Sequence, residues 1–192
     1  MRYLKQLFTL SVIFLLISAC GGRGSPSFYI NQDIDFSFFK RVAVLPLENF
    51  TNEKFAGEAV RQVVISELLA SGLVDVVCPG DVNTAFETLK IKSGQSPNAE
   101  QIKTVGKTLN VQAVIMGAVN KYGEIREGNI SAPEVSITLM MADTGSGSII
   151  WSVTKTRGGA SFLAKHFGAR ADTMSEAVLK VVRAAIHTLY EY

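Results

Sequence analysis

Cysteine, histidine and long apolar runs are all scarce in this sequence. Its 192 residues include two cysteines and two histidines. The histidines, His166 and His187, do not stand at a metal-ligand spacing such as His-x-x-x-His. The apolar run of residues 7–17 is shorter than the about 20 residues that a membrane-spanning helix needs. We therefore expect no metal site, no cofactor and no membrane-spanning helix.

Net charge is also absent once the N-terminus is set apart. Two of the 19 basic residues, Arg2 and Lys5, lie within residues 1–19, and none of the 17 acidic residues does. The remainder therefore carries 17 residues of each sign. Because no basic field remains to attract a phosphate backbone, we predict no nucleic-acid partner.

Residues 1–19 have the anatomy of a secretory signal: two cations, an uncharged apolar stretch, and small residues before a cut. Ile17-Ser18-Ala19-Cys20 resembles the lipobox of bacterial lipoproteins at all four positions. The resemblance implies cleavage before Cys20 and acylation of that cysteine by chains such as palmitate. The alternative is an ordinary secretory signal with a chance cysteine. Gly21, where aspartate tends to retain lipoproteins in the inner membrane, implies lipid anchoring at the periplasmic face of the outer membrane.

Residues 20–27 are rich in glycine and serine, which predicts a flexible tether. Its seven residues after the cysteine span about 25 Å at most, so the tether keeps the domain near the lipid surface. The next residues, 28–39, are unusually aromatic. They either pack onto the domain as a leading segment or meet the membrane or a partner. The candidate contact residues are Phe28, Tyr29, Phe36, Phe38 and Phe39.

The periodicity of residues 28–192 predicts one α/β domain. Continuous apolar runs at 42–47 and 113–119 are typical of strands buried on both faces, and residues 56–68 follow the helical period. Residues 134–142 and 149–156 alternate as a β-hairpin, and a capping box at Thr173 opens a final amphipathic helix. The predicted fold is a single three-layer-like domain: a mixed β-sheet flanked by helices, with a C-terminal antiparallel hairpin and a closing helix.

Three local features carry further expectations. Cys78 ends a short apolar run, which favours a small buried side chain over a reactive thiol. Gly117, inside the strongest predicted strand, indicates a close approach of two backbones. Residues 122–133 are polar and predict a long loop or a hairpin extension, and residues 158–171 predict an irregular segment.

One motif raises the question of catalysis. Asp143-Thr144-Gly145-Ser146 spells the catalytic loop of aspartic proteases, whose chemistry needs two carboxylates that share a proton. The same residues are those that a tight turn between two strands selects. Since no phosphate-binding loop and no other catalytic pattern is recognisable, we predict that the protein is not an enzyme.

Several blocks in series resemble known lipoprotein domains. The sequence Arg41-Val42-Ala43-Val44-Leu45-Pro46-Leu47-Glu48-Asn49 is similar to the opening strand and loop of CsgG-like and TolB-N-terminal-like domains. The blocks at 106–117 and 142–152 fit the same pattern, so the resemblance covers most of residues 40–157. It implies a mixed sheet flanked by helices.

Members of these families do different jobs. CsgG subunits form a ring-shaped outer-membrane channel, whereas the LpoB type activates peptidoglycan synthases and reaches them through a long Pro-rich linker. Residues 122–133 and 158–171 lack the alternating pattern of barrel hairpins, and the tether of 20–27 is short. The first hypothesis is a non-enzymatic CsgG-like component of secretion or envelope assembly, with unidentified envelope proteins and a homo-oligomer as expected partners. The second is an LpoB-like module that activates a periplasmic enzyme.

Overall fold

A computed structural model describes residues 28–127, 130–159, 170 and 172–190, and these residues form one mixed sheet with helices on both faces. The strands are β1 (Phe28–Ile30), β2 (Arg41–Val44), β3 (Glu48–Asn49), β4 (Asp75–Val76), β5 (Ala113–Glu127), β6 (Ile130–Asp143) and β7 (Ile149–Gly158). The helices are α1 (Ala56–Ser71), α2 (Pro79–Thr88), α3 (Ala99–Leu109) and α4 (Met174–Tyr190), with a short 3-10 helix at Phe36–Phe38. The predicted fold class is confirmed. The predicted signal, Cys20 and the tether lie outside the described residues.

The sheet has a parallel half and an antiparallel half. Its order is β1-β7-β6-β5-β2-β4. β3 pairs with β5 beyond the residues of β5 that pair with β2. β2 is parallel to β4 and β5, whereas β5, β6 and β7 form an antiparallel meander whose outer edge pairs with β1. β2, α1 and β4 form a βαβ unit with parallel strands. α1 ends at Ser71, because Gly72 adopts the left-handed conformation with φ +66.

The polar residues 122–133 belong to the hairpin extension, one of the two predicted alternatives. β5 and β6 stay in register from Ala113 opposite Asp143 out to Glu127 opposite Ile130, with one irregularity after Val119. Gly117 is needed within this ladder: a Cβ atom built there would overlap the carbonyl oxygen of Thr138. The predicted close backbone approach is confirmed.

Two apolar cores lie on opposite faces of the sheet. α1 and α4 cover one face, where Trp151 is fully buried and its indole N–H donates to Thr188 Oγ1 at 3.1 Å. α2 and α3 cover the other face around Phe86 and Val105. Caps define the helix starts: Asn98 forms a capping box at α3, and Thr173 forms the predicted capping box at α4.

The expected burial of Cys78 is wrong. The short apolar run that ends at Cys78 forms only a two-residue strand, and the chain turns immediately into α2. Cys78 is therefore the N-cap residue of α2, with an exposed free thiol. No helix in the described part of the chain is long and apolar enough to cross a bilayer.

Candidate partner-binding surface

A short loop of residues 50–55 lies at the end of the parallel strands. β3 pairs with β5 in parallel, with Glu48 opposite Ala118 and Asn49 opposite Val119. The backbone N–H of Phe50 continues this pairing by donating to the carbonyl oxygen of Val119 at 3.0 Å. Loops at the carboxyl ends of parallel strands are where α/β proteins commonly bind their ligands. We call residues 50–55 the 50–55 loop.

Asn49 fixes the path of the 50–55 loop. Its side-chain amide donates to the carbonyl oxygen of Glu53 at 2.8 Å. Its Oδ1 accepts from the backbone N–H and the hydroxyl of Thr51, at 3.1 and 2.8 Å. The Thr51 hydroxyl in turn accepts from the Glu53 N–H at 3.2 Å. Polar bonds, rather than apolar packing, therefore hold the loop in shape.

The aromatic side chains of the 50–55 loop stay in solvent. Phe50 is 67% exposed and Phe55 is 73% exposed. The ammonium of Lys54 lies 5.3 Å from the centre of the Phe55 ring, within the range of a cation–π contact. Aromatic residues presented on a rigid loop are typical of the anchors that dominate protein–protein interfaces.

Two further contacts lock the 50–55 loop to the domain. Glu48 Oε1 accepts from the backbone N–H of Ser96 at 2.7 Å and from the Ser96 hydroxyl, which ties in the segment that precedes α3. In the first turn of α1, a Cβ atom on Gly57 would lie only 3.1 Å from the carbonyl oxygen of Leu47. The helix start therefore packs closely against the chain that leads into β3.

Arg61 closes the sheet edge beneath the loop. β4 pairs with β2 only at Arg41 and Val42, so the carbonyl oxygen of Val44 has no strand beside it. The buried Arg61 donates its Nε–H to that oxygen at 3.1 Å and an Nη1–H to Asn83 Oδ1 at 3.2 Å. One guanidinium thus joins α1, β2 and α2.

The five predicted contact residues do not share one environment. Phe39 is buried in the core, and Phe28 and Phe36 are half-buried against it. Tyr29 and Phe38 are 51% and 67% exposed. Tyr29 alternates with residues that pack on the α4 face, so it lies on the opposite face of the sheet. Their proposed contact role stays a prediction.

An apolar pocket of about 230 Å³ lies beside this aromatic segment, near the start of β2. Its lining includes Phe36, Phe39, Leu73, Val74 and Leu189. The Phe39 ring also packs edge-on against Phe38, with ring centres 5.7 Å apart. This pocket lies at the end of β2 opposite to the 50–55 loop.

The protease-like motif forms a turn. Asp143 ends β6, and its carboxylate accepts from the N–H groups of Gly145 and Ser146 at 3.1 and 2.8 Å and from the Ser146 hydroxyl at 2.6 Å. Partial burial raises the pKa of Asp143, but these hydrogen bonds outweigh it and hold the pKa below its usual range. The carboxylate is thus an ionised turn group. Among the described residues, no three His, Cys, Asp or Glu side chains gather as metal ligands would.

Sequence reasoning missed Phe50 and Phe55. Apart from Phe50, residues 48–54 are polar, which is typical of a loop that leads into a helix. The available signal was an aromatic residue inside an otherwise polar stretch, Glu48-Asn49-Phe50-Thr51-Asn52, where no apolar period requires it. Such a residue either folds back onto the core or serves as a contact, and only the structure distinguishes the two.

Comparison with known proteins gives a family match over most of the described domain. The family described as peptidoglycan-synthase activator LpoB matches residues 27–156. This range runs from β1 almost to the end of β7 and includes the 50–55 loop. No curated protein sequence matches the chain significantly.

Solved structures show the same fold at low sequence identity. PelC from Paraburkholderia phytofirmans, described as a dodecamer, is 21% identical with a TM-score of 0.59, covering 84% of this chain and 94% of that one. Lipoprotein GNA1162 from Neisseria meningitidis is 14% identical with a TM-score of 0.54, covering 80% and 99%. At these identities the likeness shows the fold alone.

The expected membership in a CsgG-like or TolB-N-terminal-like family is wrong, and so is the secretion or transport role attached to it. The family that matches is LpoB. The blocks that carried the resemblance include β2, the start of β5 and the start of β7, whose residues are mostly buried in the sheet. Such residues are selected by packing, so related folds with different functions share them.

The short tether had also counted against an LpoB-like role. The matched region begins at residue 27, so tether length has no part in the match. The match instead rests on the sheet, on α1 to α3 and on the loops between them. This chain therefore belongs to the LpoB family of peptidoglycan-synthase activators.

Proposed function

We propose that this protein is a non-catalytic activator of a peptidoglycan synthase, anchored by acylated Cys20 to the periplasmic face of the outer membrane. The observation that carries this proposal is the family match over residues 27–156. It favours the second sequence-based hypothesis, a regulatory binding module, over a component of secretion. A homo-oligomer stays a prediction, because the dodecamer is a property of PelC.

The 50–55 loop is the surface that we assign to the synthase. An activator acts by binding, and binding energy concentrates in a few well-placed aromatic residues. Phe50 and Phe55 are already exposed, and the Asn49 bonds hold the loop before any partner arrives. A preordered loop loses little conformational entropy on binding, which improves affinity.

The sheet order separates this surface from the edge where the chain enters the domain. β1, the first strand, lies at one edge, and β3 lies beyond β7, β6 and β5. Four strand spacings correspond to about 19 Å. The chain therefore enters the described domain at the sheet edge opposite to the 50–55 loop, and a membrane that faces β1 leaves the loop free for a partner.

The experiment compares a purified peptidoglycan synthase from the same bacterium with and without this protein, in detergent solution. The readouts are the rate of glycan polymerisation and the degree of peptide crosslinking. We expect saturable stimulation that follows the formation of a complex between the two proteins. A synthase that neither binds the protein nor changes rate over a wide concentration range would refute the proposed function.

A further inference from the structure

An open groove of about 420 Å³ lies between β7 and α4, beside the first residue of β1. Its lining residues are Phe28, Lys155, Lys180, Arg183, Ala184, His187 and Thr188. Three of these carry a fixed positive charge, and no carboxylate is among the described residues that line the groove. We call it the basic groove.

The pattern of β7 explains why charge appears there. Trp151 and Val153 face the core beneath α4 and are fully buried. Lys155 is the next residue on the same face, and it is only half-buried. This face of the strand therefore changes from apolar to basic at the groove. A half-buried lysine typically buries its apolar stem and keeps its ammonium towards water.

The other two cations, Lys180 and Arg183, have acidic neighbours but remain accessible. Lys180 pairs with Asp172 at 2.6 Å, and its side chain is 46% exposed. Arg183 binds both carboxylate oxygens of Glu67, at 2.9 and 3.0 Å, and its side chain is 63% exposed. Exposed ion pairs of this kind are weak. The pairs orient the cations at the groove without hiding them.

The position of the groove in the chain places it near a membrane. Phe28 lines the groove, and Cys20 precedes it by only eight residues. Eight residues span at most about 28 Å. If Cys20 is acylated, as proposed above, the basic groove stays within that reach of the bilayer surface.

Two stretches that adjoin the groove elements in sequence carry no acidic residue. Residues 21–27 contain Arg23 and no acidic residue, and residues 160–169 contain Lys165 and no acidic residue. Both would be repelled by the cations that line the groove. Asp172 and Glu67 already pair with Lys180 and Arg183, whereas Lys155 has no carboxylate partner among the described residues. Lys155 is therefore the groove cation that is open to an outside anion.

We propose that the basic groove binds the anionic phospholipid headgroups of the membrane that holds the Cys20 acyl chains. The phosphate groups supply the complementary charge, and each lysine or arginine near such a surface strengthens attraction about fivefold. This contact orients the domain with β1, β7 and α4 towards the lipid. The 50–55 loop, at the opposite sheet edge, then faces away from it. The inference rests on the proposed acylation and does not require synthase activation.

The first test measures vesicle binding without the anchor. The mature chain carrying Cys20→Ser keeps every described residue and cannot be acylated. Its binding to vesicles of phosphatidylcholine alone is compared with binding to vesicles that contain phosphatidylglycerol, at low and high salt. We expect binding only to the anionic vesicles, weakened by salt. Equal binding to both vesicle types, or binding to neither, would overturn the proposal.

Lys155→Gln is the informative variant, and Lys92→Gln is its matched control. Lys92 is exposed on the segment that follows α2, on the other face of the sheet. Both changes remove one positive charge from an exposed or half-exposed side chain. We expect Lys155→Gln to lower binding to anionic vesicles about fivefold, whereas Lys92→Gln leaves it unchanged. Equal binding by the two variants would contradict the proposal.

A second measurement uses the acylated protein in the same two vesicle types. Amine-reactive labelling, quantified by mass spectrometry, should modify Lys155 less in anionic vesicles, with Lys92 as the internal reference. The remaining alternative is an acidic protein surface as the occupant of the groove. In that case Lys155→Gln would weaken synthase stimulation in lipid-free detergent while vesicle binding stayed normal. That result would overturn the lipid assignment and leave the proposed activation intact.

Discussion

The side-chain amide of Asn49 donates to the carbonyl oxygen of Glu53 at 2.8 Å, so that one residue spans the turn that displays Phe50 and Phe55. β3 ends at Asn49, and α1 begins three residues after Glu53. The bond therefore connects the end of the sheet to the start of a helix. It converts an exposed aromatic pair into a fixed surface, which is what a regulatory module needs in order to bind with specificity.

Asn49→Ala removes the bonds to Glu53 and Thr51 together. We expect a loss of about 1 kcal/mol in the free energy of unfolding and a weaker complex with the synthase, because the freed loop must be ordered on binding. Asn52→Ala, an exposed asparagine in the same loop, is the matched control and should change neither quantity. Urea unfolding and a binding titration measure the two effects. Equal behaviour of the two variants would show that the Asn49 bonds do not shape the surface.

Arg61→Met tests the closure of the sheet edge. The change keeps an apolar stem but leaves the carbonyl oxygen of Val44 buried without its donor, which should lower the free energy of unfolding by about 1 to 3 kcal/mol. Glu58→Gln is the control, since the Arg61–Glu58 pair is 3.4 Å long and the Glu58 side chain is 53% exposed. We expect the control to cost less than about 0.5 kcal/mol. An equal loss in both variants would assign the stability to the ion pair instead of the edge contact.

Gly117→Ala and Gly123→Ala compare two glycines of the same strand. At Gly117 the φ of +155 is strained for any side chain, and the new Cβ would overlap the backbone of Thr138. We expect a loss of about 1 to 3 kcal/mol or more in unfolding free energy. At Gly123 no atom lies within 4 Å of the new Cβ, so the change should be neutral or slightly stabilising. Denaturant unfolding of both variants checks the difference.

We expect Asp143→Asn to lower the free energy of unfolding by an amount that depends on pH. The pKa of Asp143 is lower in the folded protein than its usual value, so its ionised form stabilises the fold above about pH 4. That contribution is lost as the pH falls through the folded pKa. The wild type should therefore exceed the variant in stability at pH 7, and the difference should shrink towards pH 3. Unfolding measured at several pH values tests this expectation, with the exposed Glu87→Gln as control. A difference between the wild type and Asp143→Asn that stayed constant with pH would contradict it.

The sequence predicted the elements whose signals are local. The helical period and Gly72 marked α1, and the alternation around Trp151 marked the hairpin of β6 and β7. β1 was not predicted as a strand, since only its pairing with β7 makes it one. The sequence left residues 122–127 open between a loop and a hairpin extension, because they are polar and only their cross-strand partners on β6 hold them in the sheet.

The candidate surface was harder to predict for the same reason. Phe38 and Phe39 are neighbours in sequence, yet one is 67% exposed and the other 4%. Phe38 is the last residue of the 3-10 helix, whereas Phe39 is its C-cap residue and leads the chain into the core. The sequence left the aromatic residues of 28–39 open between packing onto the domain and contacting the membrane or a partner. It gave no weight to Phe50, whose exposure depends on the hydrogen bonds of Asn49. The family was misassigned because the blocks that resembled CsgG-like domains consist largely of buried strand residues, which reflect packing and not the partner.

Synthase stimulation by two variants at equally exposed phenylalanines tests most directly whether the 50–55 loop is the synthase contact. Phe50 and Phe38 are each 67% exposed, and they lie at opposite ends of the parallel strands. Replacing either with serine should leave the free energy of unfolding within about 0.5 kcal/mol of the wild type, because neither side chain is in the core. We predict that Phe50→Ser raises the concentration needed for half-maximal stimulation at least about 30-fold, as loss of an interface anchor does, whereas Phe38→Ser stimulates normally. Full stimulation by Phe50→Ser, with loss in Phe38→Ser, would contradict the account and move the synthase contact to the aromatic segment of residues 28–39.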